Sequence, residues 1–197
     1  YVSNLALEHA LDAFWSNAQG PGGVGLQSRF AGAWRHVAAR FRSDPAVLGY
    51  EQFNEPFPGT LWASCFAPTG CPAFDNQLTA FYRRVDRAIR TADRSTLVWY
   101  EPSVLFNDGL PSRVAPLGDP RAGLAFHDYC PTEARTGSPA GCGGFDDSVF
   151  SHALFGATAA RSALMLTEFG ATNDAPYLAD MVTRADRLMV PWVEWAY

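Results

Sequence analysis

Apolar residues recur along this chain at two spacings, and the alternation between them predicts its elements. Leu5, Leu7, Leu11, Phe14 and Trp15 gather near one side of a helix predicted over 2–15, and Phe30, Trp34, Val37 and Phe41 mark a second over 26–41. A third helix, over 76–92, carries Phe81, Val85, Ala88, Ile89 and Ala92 as its apolar stripe. Arg83, Arg87, Arg90 and Arg94 line another face of it, read as a solvated surface rather than a phosphate reader. A fourth helix is predicted over 177–188. Between these lie short apolar runs at 47–53, 96–102, 123–129, 163–168 and 190–196, five predicted strands. Strands that alternate with helical patterns imply a parallel sheet.

A closed barrel of this kind needs eight strands and typically about 250 residues. Five strands in 197 residues, preceded by helices, match the fourth to eighth strands of a (β/α)8 TIM barrel. Residues 1–197 are therefore expected to be the C-terminal part of a barrel domain, with the first three strands absent and unpaired edges on the Val47 and Trp195 strands. The rival is a doubly wound open sheet, which usually has a phosphate loop after its first strand. The Gly20–Gly25 segment satisfies G-x-G-x-x-G but follows a helix where that fingerprint must follow a strand, so it is read as a loop.

Two of the strands end on acids. Asn54-Glu55-Pro56 closes the 47–53 run, and Thr167-Glu168-Phe169-Gly170 closes the run from Ala163. Acids at the C-terminal ends of two parallel strands can face each other across a barrel mouth, and paired carboxylates are the equipment of glycoside hydrolysis. His127 and Tyr129 are two apart on a strand and so share a side, Tyr129 being the stronger candidate. Glu101 is expected to face the pocket without a part in bond cleavage, while Asp128 and Glu194 alternate away from it. Trp192, three before Trp195, is read as packing.

Composition narrows the class. At 48% hydrophobic and 14% aromatic the chain can bury a sizeable core, and a net charge of -5 gives no basic face for nucleic acid. No apolar run is long enough to span a bilayer, and there is no signal-type apolar segment at the start. Nothing marks an obligate protein partner. The cysteines fall into two local pairs flanked by Pro and Gly, predicting disulfides Cys65–Cys71 and Cys130–Cys142 in loops and an oxidising, extracellular setting. A zinc site is the weaker reading, because neither gap suits a zinc knuckle and no histidine cluster accompanies them. With no phosphate loop, Ser-His-Asp context or metal-ligand spacing, no cofactor is expected.

Taken in order, Asn54-Glu55-Pro56, His127-x-Tyr129, Thr167-Glu168-Phe169-Gly170 and a late tryptophan resemble the retaining β-glycosidases of glycoside hydrolase family 5. The stretch Gly49–Gly59, the cysteine-bearing loop after it, Trp99–Ser103 and the closing Trp195-Ala196-Tyr197 are most similar to endoglycoceramidases and related glycosylceramidases. The resemblance implies Glu55 as general acid/base and Glu168 as nucleophile, with carboxyl groups roughly 5–5.5 Å apart. It implies Asn54 on the sugar 2-hydroxyl, His127 and Tyr129 in the mouth, and Trp195 as a floor for a pyranose. The implied substrate is a glycosphingolipid cleaved between sugar and ceramide, reached through transient contact with a membrane surface. Phe57, Leu61, Trp62 and Phe66 either line an apolar aglycone channel or simply cover the barrel top. The alternatives are a β-glucanase or β-glucosidase of the same mechanism, acting on an oligosaccharide, and a noncatalytic carbohydrate-binding barrel fragment.

Overall fold

The computed structural model describes residues 4–196; Val2 of the first predicted helix and the closing Tyr197 lie outside them. Four strands, β1 (Gly49–Glu51), β2 (Leu97–Tyr100), β3 (Ala122–Asp128) and β4 (Ala163–Phe169), pair in chain order, every pair parallel. Helices α1 (Leu5–Trp15) and α2 (Leu26–Phe41) precede β1, and α3 (Pro72–Arg90) crosses from β1 to β2. Helices α4 (Pro131–Thr136) and α5 (Cys142–Ala160) lie between β3 and β4, and α6 (Ala175–Arg187) follows β4. The result is a parallel half-barrel, in keeping with the partial TIM barrel expected.

The fifth predicted strand is a correction. Residues 190–196 run parallel to β4 but touch it only through isolated bridges, Leu166 with Trp192 and Gly170 with Trp195. Pro191 supplies no N–H and offers only its carbonyl, to the N–H of Leu166, so no continuous ladder forms. Helix α5 lies in a stretch for which the apolar pattern predicted no element. Its buried residues Val149, Phe150, Ala153 and Ala157 do follow helical spacing, but two are alanines, three glycines weaken the helix, and Phe155 is exposed. Leu5 and Leu7, expected on the buried side of α1, are exposed, and Leu11, Phe14 and Trp15 meet the core.

Two apolar layers hold the sheet. Outside β1 and β2, Phe74, Leu78, Phe81, Tyr82, Val85 and Ile89 of α3 pack with Trp15 of α1 and Ala31 and Ala38 of α2. Outside β3 and β4, Phe126, Leu166 and Phe169 meet Val149, Phe150 and Ala153 of α5 and Met181 and Ala185 of α6. The concave side has its own small layer of Trp99, Ala125 and Met165. A Cβ at Gly49 or Gly123 would run into the Trp99 ring, so both positions need glycine for this ring to lie across the strands.

The arginine row of α3 is solvated at Arg83, Arg87 and Arg94 but not at Arg90. Arg90 pairs with Asp119 at 2.5 Å and donates to the carbonyls of Asp93 and Thr96, tying the end of α3 to the start of β2. Asp93 closes the same joint. Its buried carboxylate accepts from Tyr50 Oη at 2.9 Å, Thr96 Oγ1 at 2.6 Å and the N–H groups of Ser95 and Thr96. Burial pushes its pKa up, but these donors, Thr96 first, outweigh it and hold the group well below its ordinary 3.8. Its stabilising contribution is therefore complete above the ordinary carboxylate value and is lost as pH falls towards the depressed one. Asp93→Ala, which strands several buried donors, should lower stability by about 3 kcal/mol at pH 7 in urea unfolding, with a smaller difference at acid pH.

Candidate active site

The two acids named from the sequence meet, and each is aimed by a local departure from regular strand geometry. Strict alternation from Met165, which faces the concave side, would bring Thr167 inward and send Glu168 out to the helices. The register slips between Phe126 and His127, so His127 pairs with Glu168 and Thr167 is the extra residue. Thr167 and Glu168 then both face inward, Thr167 Oγ1 donating to Glu51 Oε1 at 2.8 Å, and Phe169 returns to the outer core. On the other side, Glu55 follows β1 with φ 44°, a left-handed conformation that glutamate rarely adopts. Its N–H donates to Glu101 Oε2 at 2.9 Å. The carbonyl of the following Pro56 accepts from Val104 N–H at 3.0 Å, which anchors the bend.

His127 stands between the acids, 1% exposed, with Nδ1 3.0 Å from Glu55 Oε1 and 3.4 Å from Glu168 Oε2. Both neighbours of Nδ1 accept, which assigns the ring proton to it. One oxygen of each acid lies within 4.8 Å of the other. Asn107 Nδ2 donates to Glu55 Oε1 at 2.8 Å, and Tyr129 Oη donates to Glu168 Oε2 at 3.1 Å. Burial first, then the Glu168 charge, pushes the Tyr129 phenol far up, so it keeps the proton it donates. Glu168 itself is raised by burial and by the nearness of Glu55, while His127 and the Tyr129 hydroxyl pull it down. The carboxylate implied as nucleophile thus relies on these two partners to remain charged.

The remaining sequence-named residues divide. Asn54 is exposed beside Glu55 and its side chain makes no hydrogen bond among the described residues. Trp195 is 55% exposed; its N–H donates to the Phe169 carbonyl and its own carbonyl accepts from Ala171, which sets it just past Glu168 at the C-terminal end of the sheet. Trp192 packs its ring on Phe169 with centroids 5.8 Å apart, in agreement with a packing role. Asp128 is turned away from the mouth towards Asp146 and Arg184, as alternation requires. Phe57 and Leu61 pack inward, whereas Trp62 and Phe66 form an edge-to-face pair with Phe66 exposed, so cover and surface patch share that segment.

Both disulfides are present, with Cα atoms 4.3 Å apart for Cys65–Cys71 and 5.6 Å for Cys130–Cys142. Cys71 and Cys130 lie in loops as expected, each just before a helix, whereas Cys65 lies in the 3-10 turn Gly59–Phe66 and Cys142 begins α5. Two residues went unforeseen. Asn107 sits on a short turn after β2 in no recognisable motif, and Glu51 lies inside the barrel where only its alternation with Tyr50 could have signalled an inward carboxylate. Glu51, Glu101 and His127, like Glu55, His127 and Glu168, bring three possible cation ligands within 4.8 Å, although the sequence spacing suggested none.

The profile of Cellulase (glycosyl hydrolase family 5) matches residues 13–197. The chain belongs to this family. Among family 5 relatives, it is 31% identical over its whole length to endoglycoceramidase I of Rhodococcus hoagii (strain 103S), spanning 41% of that protein. It superposes on endo-glycoceramidase II from Rhodococcus sp. in complex with ganglioside GM3 with a TM-score of 0.82 at 27% identity, covering 96% of this chain and 44% of that one. The lactosyl-enzyme intermediate of the same protein gives a TM-score of 0.76 at 30% identity, over 96% of this chain and 43% of that one. The chain thus spans less than half the length of these relatives and is a family 5, endoglycoceramidase-like sequence.

Because the Tyr129 hydroxyl lowers the Glu168 pKa, Tyr129→Phe should raise it. Carbon-detected NMR titration of the glutamate carboxyl groups would read this directly, and an unmoved Glu168 would show the phenol to be a bystander.

Proposed function

We propose that this chain carries the acid pair of a retaining glycoside hydrolase acting on glycosphingolipids at the bond between sugar and ceramide. The observation that carries the chemistry is the approach of Glu55 and Glu168 to within 4.8 Å around His127. Such an approach favours the short separation of retaining enzymes, about 5–5.5 Å, over the about 6.5–9.5 Å at which inverting enzymes place a water between the carboxyl groups. Glu168 attacks the anomeric carbon while Glu55 gives its proton to the departing glycosidic oxygen. Water, deprotonated by Glu55, then releases the sugar from Glu168. Asn54 binds the sugar 2-hydroxyl, a contact that strengthens as charge develops at the anomeric carbon, and the exposed Trp195 ring receives the apolar face of the pyranose. The lactosyl-enzyme form of the Rhodococcus sp. relative supports a covalent route.

For the substrate, support comes from the names of the relatives and from the half-buried Trp62 paired with the exposed Phe66 in the segment that follows Glu55, the side on which the aglycone leaves. A secreted protein working at a membrane surface fits the two disulfides. The rival is a β-glucanase with the same acids.

In the full-length protein, a slow 2-fluoro glycoside should leave its sugar on Glu168, detected by mass spectrometry of peptides, and Glu168→Gln should abolish the adduct. Label on Glu101 or Glu194 would overturn the assignment. Glycosylceramide in detergent micelles should turn over at least about tenfold faster than cello-oligosaccharides, one methylene-rich aglycone contact being worth roughly 10–200-fold in specificity. Equal rates would leave the acid pair standing and favour the glucanase.

A further inference from the structure

Glu101, expected from the sequence to be idle, occupies the point from which the acid pair is held. It follows β2, is 2% exposed, and turns its carboxyl into the barrel. One oxygen, Oε2, accepts the N–H of Glu55 at 2.9 Å and lies 3.6 Å from His127 Nε2, just beyond hydrogen-bond distance. Neither Oε1 of Glu101 nor Nε2 of His127, both buried, has a hydrogen-bond partner among the described residues. The opposite nitrogen of the same imidazole contacts Glu55 and Glu168. The Glu101 carboxyl therefore bonds Glu55 through the backbone N–H and packs behind the ring of His127 without bonding it. Its own backbone is fixed in turn, since Glu101 N–H donates to the buried Tyr82 hydroxyl at 3.3 Å.

We infer that Glu101 is a positioning residue for the general acid/base, holding Glu55 in its left-handed conformation and backing the imidazole that separates the two acids. The inference rests on the hydrolase reading above for its kinetic consequence, though not for its geometry. Left-handed backbone is strained at a glutamate, and Pro56 adds to the strain by biasing the residue before it towards extended backbone. A buried acceptor aimed at that residue's own N–H opposes the strain directly. Burial, then the Glu51 charge, pushes the Glu101 pKa well up. Glu101 hydrogen-bonds Glu55 through the backbone N–H of Glu55 and not through its carboxyl group. Its loss should act on proton delivery, where a misplacement of about 1 Å can lower rate by roughly a hundredfold.

The test compares Glu101→Gln, which keeps an amide oxygen for the Glu55 N–H, with Glu101→Ala, which does not, in the full-length protein. On an alkyl β-glycoside, whose leaving group needs a proton, E101A should lower kcat by roughly 10–100-fold with KM within about twofold. On a dinitrophenyl glycoside, whose leaving group departs unassisted, the first-turnover burst should fall much less, and E101Q should recover most of the loss on both. Equal losses on the two substrates with no recovery in E101Q, or no loss in E101A, would overturn the inference. Should E101A fail to fold, Glu101→Met replaces it, and failure of both where E101Q folds would mark Glu101 as structural only. Independently of activity, the Glu55 amide proton should shift upfield and exchange faster in E101A than in E101Q. That result with no turnover by the unaltered protein would sink the hydrolase reading and keep the geometry; an unmoved amide would sink the geometry itself.

Discussion

The parallel pairing of β3 with β4 slips by one residue between Phe126 and His127, and the arrangement of the mouth depends on that slip. Below it, Leu164, Leu166 and Phe126 face the helices while Ala125 and Met165 face the concave side. Above it, Thr167 and Glu168 are both inside. Because side chains alternate with period two, no regular strand could place Met165, Glu168 and Phe169 on the sides they occupy. The extra residue lets one strand supply both a core anchor and an acid. The left-handed turn at Glu55 does the equivalent for β1, where Gln52 and Phe53 stay buried or half-buried and the carboxyl after them swings back towards His127.

Inside the sheet the side chains form levels of increasing polarity. Trp99, laid across Gly49 and Gly123, with Ala125 and Met165, makes an apolar floor. Glu51, Glu101, Thr167 and His127 stand above it, and Glu55, Glu168 and Tyr129 stand above those, linked by hydrogen bonds. An apolar floor and close like charges both disfavour ionisation, which is why burial is the first cause of the raised pKa at Glu101 and at Glu168. The Tyr129 hydroxyl serves Glu168 and Asn107 serves Glu55, while His127 lies against both acids, nearer to Glu55. Separate partners give two similar carboxyl groups different surroundings, the condition for dividing acid and nucleophile work between them.

The walls around these levels are covalently tied. Cys65–Cys71 joins the turn after Glu55 to the start of α3, and Cys130–Cys142 joins the residue after Tyr129 to the start of α5. The second bridge thus restrains a segment that leaves the mouth immediately after Tyr129, which donates to Glu168, and the first restrains the turn that follows Glu55.

What the sequence by itself determined is the parallel α/β layout, four of the helices and four of the strands, because burying an apolar stripe at period 3.6 or a short apolar run leaves a repeating mark. It also determined both disulfides and the acids Glu55 and Glu168, which sit inside multi-residue motifs. Helix α5 escaped because its stripe is built partly of alanine and its glycines read as loop, and the 190–196 strand was overstated because Pro191 breaks a ladder that apolarity alone suggested. Only the tertiary structure decided which way Glu168 points, since a one-residue slip is invisible to a period-two pattern. It alone recruited Asn107 and Glu51 and made Glu101 a neighbour of Glu55, because those contacts join residues 46 or more positions apart and arise only when separate strands are brought side by side.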